Sequence, residues 1–190
     1  MADHTDDGRW TVTTERLLLR PGQVADLGFL EDLYSREAVT RWIGEDAPLP
    51  PHAVRTRLER WATCEGPLTG IRLAVLAQEP PRPVGVVLLK DTPASDTGEG
   101  SGDIEIGWHF HPDAWGHGYA TEAAVAMLNH AARLGLERII AVTDVGNTPS
   151  QAVCRRLGME HRGTTEKYYG HTTELFTLDL VQWAEAQADG

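Results

Sequence analysis

The chain has 190 residues, 41% of them hydrophobic, and a formal charge of −11 at pH 7; that length supports one packed core, and the surplus acid repels phosphate backbones, which excludes non-specific nucleic-acid binding. No apolar run approaches the roughly 20 residues needed to span a bilayer, and the start "MADHTDDGRW" lacks the basic and apolar regions of a secretory signal. The expectation is a cytoplasmic protein without membrane attachment, with its two cysteines, Cys64 and Cys154, reduced and in no metal-ligand spacing.

Residues 1–10 are polar and aperiodic and read as a flexible tail, 11–182 as the single domain, and 183–190 as a second tail. "WTVTTERLLLRP" reads as a first strand, and Leu27, Leu30 and Leu33 mark a helix after it. A second helix is predicted over about His52 to Cys64, with Val54, Leu58 and Trp61 on one face. "IRLAVLA" and "PVGVVLLK" read as an antiparallel hairpin, and Asp91 to Asp103 as a mobile loop with solvated acids.

Ile104 to Phe110 alternates: Ile104, Ile106, Trp108 and Phe110 face one way, and Glu105, Gly107 and His109 the other. Pro112 ends the pairing, Gly116 and Gly118 permit a tight turn and close approach of a ligand, and a helix begins near Thr121. Its first turn leaves amide N–H groups unpaired, so a diphosphate set against His117 to Thr121 would satisfy them. The third glycine of a dinucleotide fingerprint and the Gly-Lys-Ser/Thr of a Walker loop are both missing. "RIIAVT", "PSQAVCRRLG" and "TELFTLDL" complete the chain as strand, helix and strand. This order implies a mixed sheet with helices on its faces, hence α+β.

The segments "EIGWHFHPDAWGHGYATEA" and "NTPSQAVCRRLGM" resemble the GNAT superfamily of acyl-CoA-dependent N-acetyltransferases. In that family a loop of Gln or Arg, two variable residues, Gly, one variable residue, then Gly or Ala binds a pyrophosphate. It falls here on Trp115 to Ala120, with Trp115 departing from the first position. The Trp-Gly form and the early "TERLLLRP" are similar to the Rim-type branch, which acetylates ribosomal-protein N-termini. The resemblance covers the chain from Thr14 to Leu180. It implies a mostly antiparallel central sheet of about six to seven strands, splayed in the middle, with helices on both faces.

It further implies acetyl-CoA as co-substrate and no metal. Phe110, His111, Trp115, Gly116, His117, Gly118, Tyr119, Ala120, Thr121 and Asn147 would contact the cofactor, the pantetheine arm running beside Phe110 and His111 like an added strand. A β-bulge in the Ile104–Phe110 strand would suit the splay. The acceptor is then an amine, which must lose a proton before it attacks, since α-amines have pKa values near about 8 and lysine-type amines near about 10.4.

Glu105 is the leading proton acceptor, acting through a water, with pairing to an arginine as the structural alternative; His109 is the second choice. Ser150 matches a serine that in the Rim-type branch gives a proton or hydrogen bond to the departing sulfur, and its alternative role is a helix cap. Cys154 stands where many members have a tyrosine and reads as a buried hydrophobe. Tyr168 and Tyr169 read as packing or acceptor contacts. Three functions stay open: acetylation of a protein N-terminus or small-molecule amine, acetylation of an aminoglycoside or polyamine drawn by the acidic charge, and a non-catalytic CoA-binding module. The oligomeric state stays open between monomer and homodimer.

Overall fold

A computed structural model of the chain describes residues 2–4, 10–44, 47–61, 66 and 69–188. Strands β1 (Ala2–His4), β2 (Trp10–Thr13) and β3 (Leu17–Pro21) lead into helices α1 (Leu27–Ser35), α2 (Glu37–Thr40) and α3 (Pro51–Trp61). Next come β4 (Gly70–Leu76), β5 (Arg82–Pro93), β6 (Gly100–Phe110) and α4 (Tyr119–Arg133). The chain then runs through β7 (Arg138–Asp144), α5 (Thr148–Arg156), β8 (Glu160–Thr165), β9 (Thr173–Asp179) and α6 (Leu180–Ala188).

Among the described residues one sheet of nine strands forms, in the order β1-β2-β3-β4-β5-β6-β7-β9-β8. Every neighbouring pair is antiparallel except β6 and β7, which run parallel and share a single backbone pairing, Glu105 opposite Ile140. The α+β class and the central splay agree with expectation, but the strand count exceeds six to seven. The expected first strand is two, folded at Thr14 to Arg16. Strand β8, "EHRGTT", escapes a periodicity search because it has few apolar side chains and is held through its backbone to β9.

Other boundaries move for physical reasons. The supposed loop from Asp91 to Asp103 is mostly hairpin, since β5 runs to Pro93 and β6 starts at Gly100. Its acids are not all solvated: Asp103 is 6% exposed. Helix α4 starts at Tyr119, two residues before the expected point, because Gly118 takes a left-handed φ of 79° and serves as its N-cap. The β5–β6 register runs unbroken from Ile104 to Phe110, so the proposed bulge there is not found. Helix α3 ends its described span at Trp61, and the rest of the expected helix through Cys64 lies outside the described residues. The ends differ from the expected tails: Ala2–His4 pair with β2, and α6 runs through residue 183, where Trp183 is buried. Residues 1, 5–9, 189 and 190 of those tails lie outside the described residues. No helix among the described residues is long and apolar enough to cross a membrane.

Alternation divides the apolar residues of the central strands between two cores. Val87 and Leu89 of β5 and Ile106 and Phe110 of β6 pack with Ala123, Ala124, Met127 and Leu128 of α4, and Val84 joins them out of phase, beside the β4–β5 register shift at Ala74 and Val75. On the opposite face Leu73 and Val75 of β4 and Val86 and Leu88 of β5 meet Leu30, Leu33 and Tyr34 of α1 and Val54 and Trp61 of α3. Alanines on the inner side of α4 leave Met127 as the long side chain that fills the space against the sheet, and it is fully buried. Met127→Ala is expected to lower stability by about 2–5 kcal/mol, read as a lower urea midpoint with unchanged slope.

Candidate active site

Where β6 and β7 diverge the sheet opens into a cavity of about 1050 Å³. Its walls come from β6 (Glu105 to Phe110), the Trp115–Thr121 turn, the end of β7, the start of α5, and the α1–α3 layer, which contributes Tyr34 and Arg57. The His111 N–H donates to the Val84 C=O at 2.9 Å on the β5 side. Strand alternation therefore turns the main-chain groups of Trp108 and Phe110 toward the opening. The Trp115 indole N–H donates to the Phe110 C=O at 2.8 Å, which leaves the Phe110 N–H on that edge for a ligand.

At the outer end of the cavity stands the N-terminus of α4. The first intrahelical bond runs from the Glu122 N–H to the Gly118 C=O at 3.0 Å, so the N–H groups of Tyr119, Ala120 and Thr121 precede the helical ladder. Gly118, Tyr119, Ala120, Thr121, Trp115, Gly116 and Phe110 all line the cavity. Two expected cofactor contacts do not. His117 is exposed, its ring beside Tyr119 and its C=O accepting from Arg16 Nη1 at 3.0 Å. His111 turns to the α1 layer: its Nδ1 accepts from the Asp113 N–H at 3.3 Å and its Nε2 lies 3.2 Å from the Asp32 carboxylate.

This turn is fastened from a distant part of the chain. Glu122 Oε1 accepts from the Thr14 hydroxyl at 2.6 Å and the Arg16 N–H at 2.9 Å, while Oε2 accepts from Arg16 Nε at 2.7 Å. Burial would raise the Glu122 carboxyl, but these hydrogen bonds and the Arg16 charge outweigh it and hold it below the ordinary carboxylate range. The two ends of this clasp, in "TERLLLRP" and "ATEA", lie 106 positions apart in sequence and meet only in the fold.

Glu105 is buried, 6% exposed, and lines the inner part of the cavity. Its alternative partner proves to be a lysine rather than an arginine: Lys90 Nζ lies 3.9 Å from Oε2, and the Tyr169 hydroxyl donates to the same oxygen. Burial raises the Glu105 carboxyl, and the Lys90 charge and Tyr169 hydrogen bond offset only part of that rise. His109, on the same face, is hydrogen-bonded to the Tyr34 hydroxyl at 3.0 Å. Burial and the charges of Arg57 and Lys90 lower its pKa to about 3, so it stays neutral at pH 7 and makes a poor proton acceptor.

Across the opening, Asn147 caps α5 by accepting from the Ser150 N–H at 3.2 Å. Asn147 is therefore the cap that was the alternative role for Ser150, which sits inside the first turn, half-buried, lining the cavity. Cys154 is fully buried in the core, and burial pushes its thiol up to about 12, as expected of a small hydrophobe. Tyr168 and Tyr169 part company. Tyr168 is buried and donates to Asp103 at 2.7 Å, whereas Tyr169 is partly exposed and lines the cavity. Among the described residues no group of three His, Cys, Asp or Glu side chains could hold a metal.

The family described as an acetyltransferase (GNAT) domain has a model that matches residues 16–160. A Bacillus subtilis protein named YnaD, an uncharacterized N-acetyltransferase, is 41% identical over 69 residues, 36% of this chain and 41% of that one. A GNAT-family acetyltransferase structure from Bacillus anthracis is 25% identical with a TM-score of 0.76, covering 90% of this chain and 99% of its own. An acetyl transferase from Salmonella typhimurium that modifies the N-terminal serine of 50S ribosomal subunit protein L7/L12 shares the fold. It is 18% identical with a TM-score of 0.69, covering 87% and 96%.

Because the folded pKa of Glu122 is depressed, its contribution to stability is present above the ordinary carboxylate pKa and is lost as pH falls through the folded value. Glu122→Gln is expected to cost about 1 kcal/mol at pH 7, reduced by the exposure of Arg16, and less at pH 4. Paired urea titrations at the two pH values check both signs.

Proposed function

The chain belongs to the acetyltransferase (GNAT) domain family, and on that premise we propose that it uses acetyl-CoA to acetylate a primary amine, which attacks the thioester directly. Bound acetyl-CoA would supply the activated acyl group. The observation that carries the reading is the run of unladdered amides at Tyr119, Ala120 and Thr121 behind a left-handed Gly118, opening on the gap between β6 and β7. Those amides suit a diphosphate, and the Phe110 N–H facing the gap suits the acyl-bearing arm or a developing oxyanion.

Glu105 accepts the proton of the incoming amine, directly or through a water, and its raised pKa makes it a better base than an ordinary carboxylate once ionised. Ser150 gives a hydrogen bond to the departing sulfur, a role supported by its place in the cavity wall with the cap duty taken by Asn147. Much of the rate gain comes from holding amine and thioester together in a closed site.

The acceptor we favour is the α-amine of a protein N-terminus. The Salmonella typhimurium neighbour modifies such a serine. The cavity charge points the same way. Among its described lining residues Arg41, Arg57, Arg60, Lys90 and Arg156 outnumber Glu105 and Asp144. Such a lining disfavours an aminoglycoside or polyamine, which the overall charge of −11 invited. Thiol release across N-terminal peptides and aminoglycosides separates the two; turnover confined to aminoglycosides reverses the assignment.

Glu105→Gln is expected to lower kcat by about 100-fold or more, and retention of full activity across pH would remove the proton-acceptor role. Gly118→Ala strains the left-handed position from which the unladdered amides of α4 start, and sets a methyl group 3.6 Å from Arg16 Nη2. It should raise the Kd for acetyl-CoA by about tenfold, measured by calorimetry, with an unchanged Kd refuting the diphosphate site.

A further inference from the structure

Lys90 and Glu105 are direct cross-strand partners in the β5–β6 register, the lysine 29% exposed at the side chain and the glutamate 8%. Lys90 Nζ also sits 4.9 Å from the centre of the Tyr169 ring, while the hydroxyl of that ring donates to Glu105 Oε2. Three groups thus touch one another pairwise, and both partners of the glutamate address the same oxygen. Among the described residues Oε1 is the carboxylate oxygen left to face the incoming amine or water.

The chain goes to some length to put Tyr169 there. It is the one non-glycine among the described residues with positive φ, 62°, a backbone conformation that an aromatic residue rarely adopts. Neighbouring contacts hold it. The Tyr169 N–H donates to the Pro93 C=O at 3.4 Å, the Gly170 N–H to Ser95 Oγ at 2.9 Å, and the Ser95 N–H to the Lys167 C=O at 2.8 Å. On the other side Lys167 Nζ and the Tyr168 hydroxyl each reach Asp103 at 2.7 Å, with Arg138 on its second oxygen. The buried carboxylate of Asp103 anchors the segment and leaves the Tyr169 hydroxyl aimed at Glu105.

We propose that Lys90 and Tyr169 are positioning residues that keep Glu105 ionised in its dry surroundings and turn Oε1 toward the acceptor, so that the proton acceptor is a three-residue set. The inference rests on the reading of Glu105 as the base. In the step itself an N–H bond of the amine breaks, its electron pair stays on nitrogen, and the proton bonds to Oε1. The Lys90 charge and the Tyr169 hydrogen bond oppose burial in setting when Glu105 can do this. The other titratable and charged side chains among the described cavity lining are His109 of β6, neutral at pH 7, Tyr34 of α1, Arg41 just after α2, Arg57 and Arg60 of α3, Tyr119 of α4, Asp144 of β7, Arg156 of α5 and His171 before β9. Tyr169 is itself no acid for the departing sulfur, because burial and the adjacent Glu105 hold its hydroxyl far above the ordinary phenol range.

Carboxyl carbon-13 NMR of the full chain, with Glu105 assigned by its loss in Glu105→Gln, reads the titration directly and needs no acceptor. Lys90→Met and Tyr169→Phe should each move the Glu105 midpoint upward by about one pH unit, and Lys90→Arg should restore it. With the N-terminal peptide turned over in the acceptor screen, the acid limb of kcat/KM should move in parallel while the KM for acetyl-CoA holds. A midpoint unmoved in either Lys90→Met or Tyr169→Phe overturns the proposal, and so does failure of arginine to rescue. Full activity in Glu105→Gln would instead sink the underlying reading, whatever the titration shows, so the two failures are distinguishable.

Discussion

A parallel pair of strands that part after one backbone pairing is the constraint around which this molecule is arranged. Past Glu105 and Ile140 the edges of β6 and β7 forgo the hydrogen bonds that a closed sheet would make. Main-chain groups inside a protein are costly to leave unsatisfied, so such a gap persists where water or a ligand can fill it. The neighbouring structure supports the gap rather than closing it. Trp115 takes the Phe110 C=O, the N-terminus of α4 stands at the outer end with amides outside its ladder, and Asn147 rather than Ser150 caps the helix across the opening.

Two carboxylates, Asp103 buried and Glu122 half-buried, stitch the opening to remote parts of the chain. Glu122 binds the Thr14–Arg16 turn to the first turn of α4, and Asp103 gathers Arg138, Lys167 and Tyr168 beside the inner end. Burial raises the Asp103 carboxyl, but its donors and the charges of Lys167 and Arg138 pull it below the ordinary range, as with Glu122. Glu105 differs in net effect. With a lysine at 3.9 Å and one hydroxyl, its compensation is incomplete and burial prevails. Carboxylates of one chemistry thus serve as staple or as candidate base according to how many donors surround them.

The surface and the cavity also carry different signs. The excess of acid belongs to the whole chain, whereas cationic side chains outnumber anionic ones among the described cavity-lining residues. Net charge governs long-range encounter and solubility, but the choice of acceptor depends on the groups within a few ångströms of the amine. The charge of −11 by itself bears only on the first of these.

Alternation in Ile104 to Phe110, the glycines before α4 and the element order were readable from residues because each depends on neighbours within a few positions: side-chain period, turn stereochemistry and helix end effects act along the chain. The splay was implied by the resemblance to the family whose motif this segment carries. Glu105, Phe110, Gly118 to Thr121 and Ser150 line one cavity, while His111 and His117 do not, being held toward Asp32 and Arg16 far away in sequence. Lys90 opposite Glu105, Tyr169 on Oε2, the Arg16–Glu122 clasp, the two-strand start and the apolar-poor β8 emerged with the folded chain. Tyr169 with Glu105 and Arg16 with Glu122 join residues 64 and 106 positions apart, and register and burial, which fix these pairings and the nearer strand pairings alike, are properties of the assembled sheet rather than of any stretch of residues.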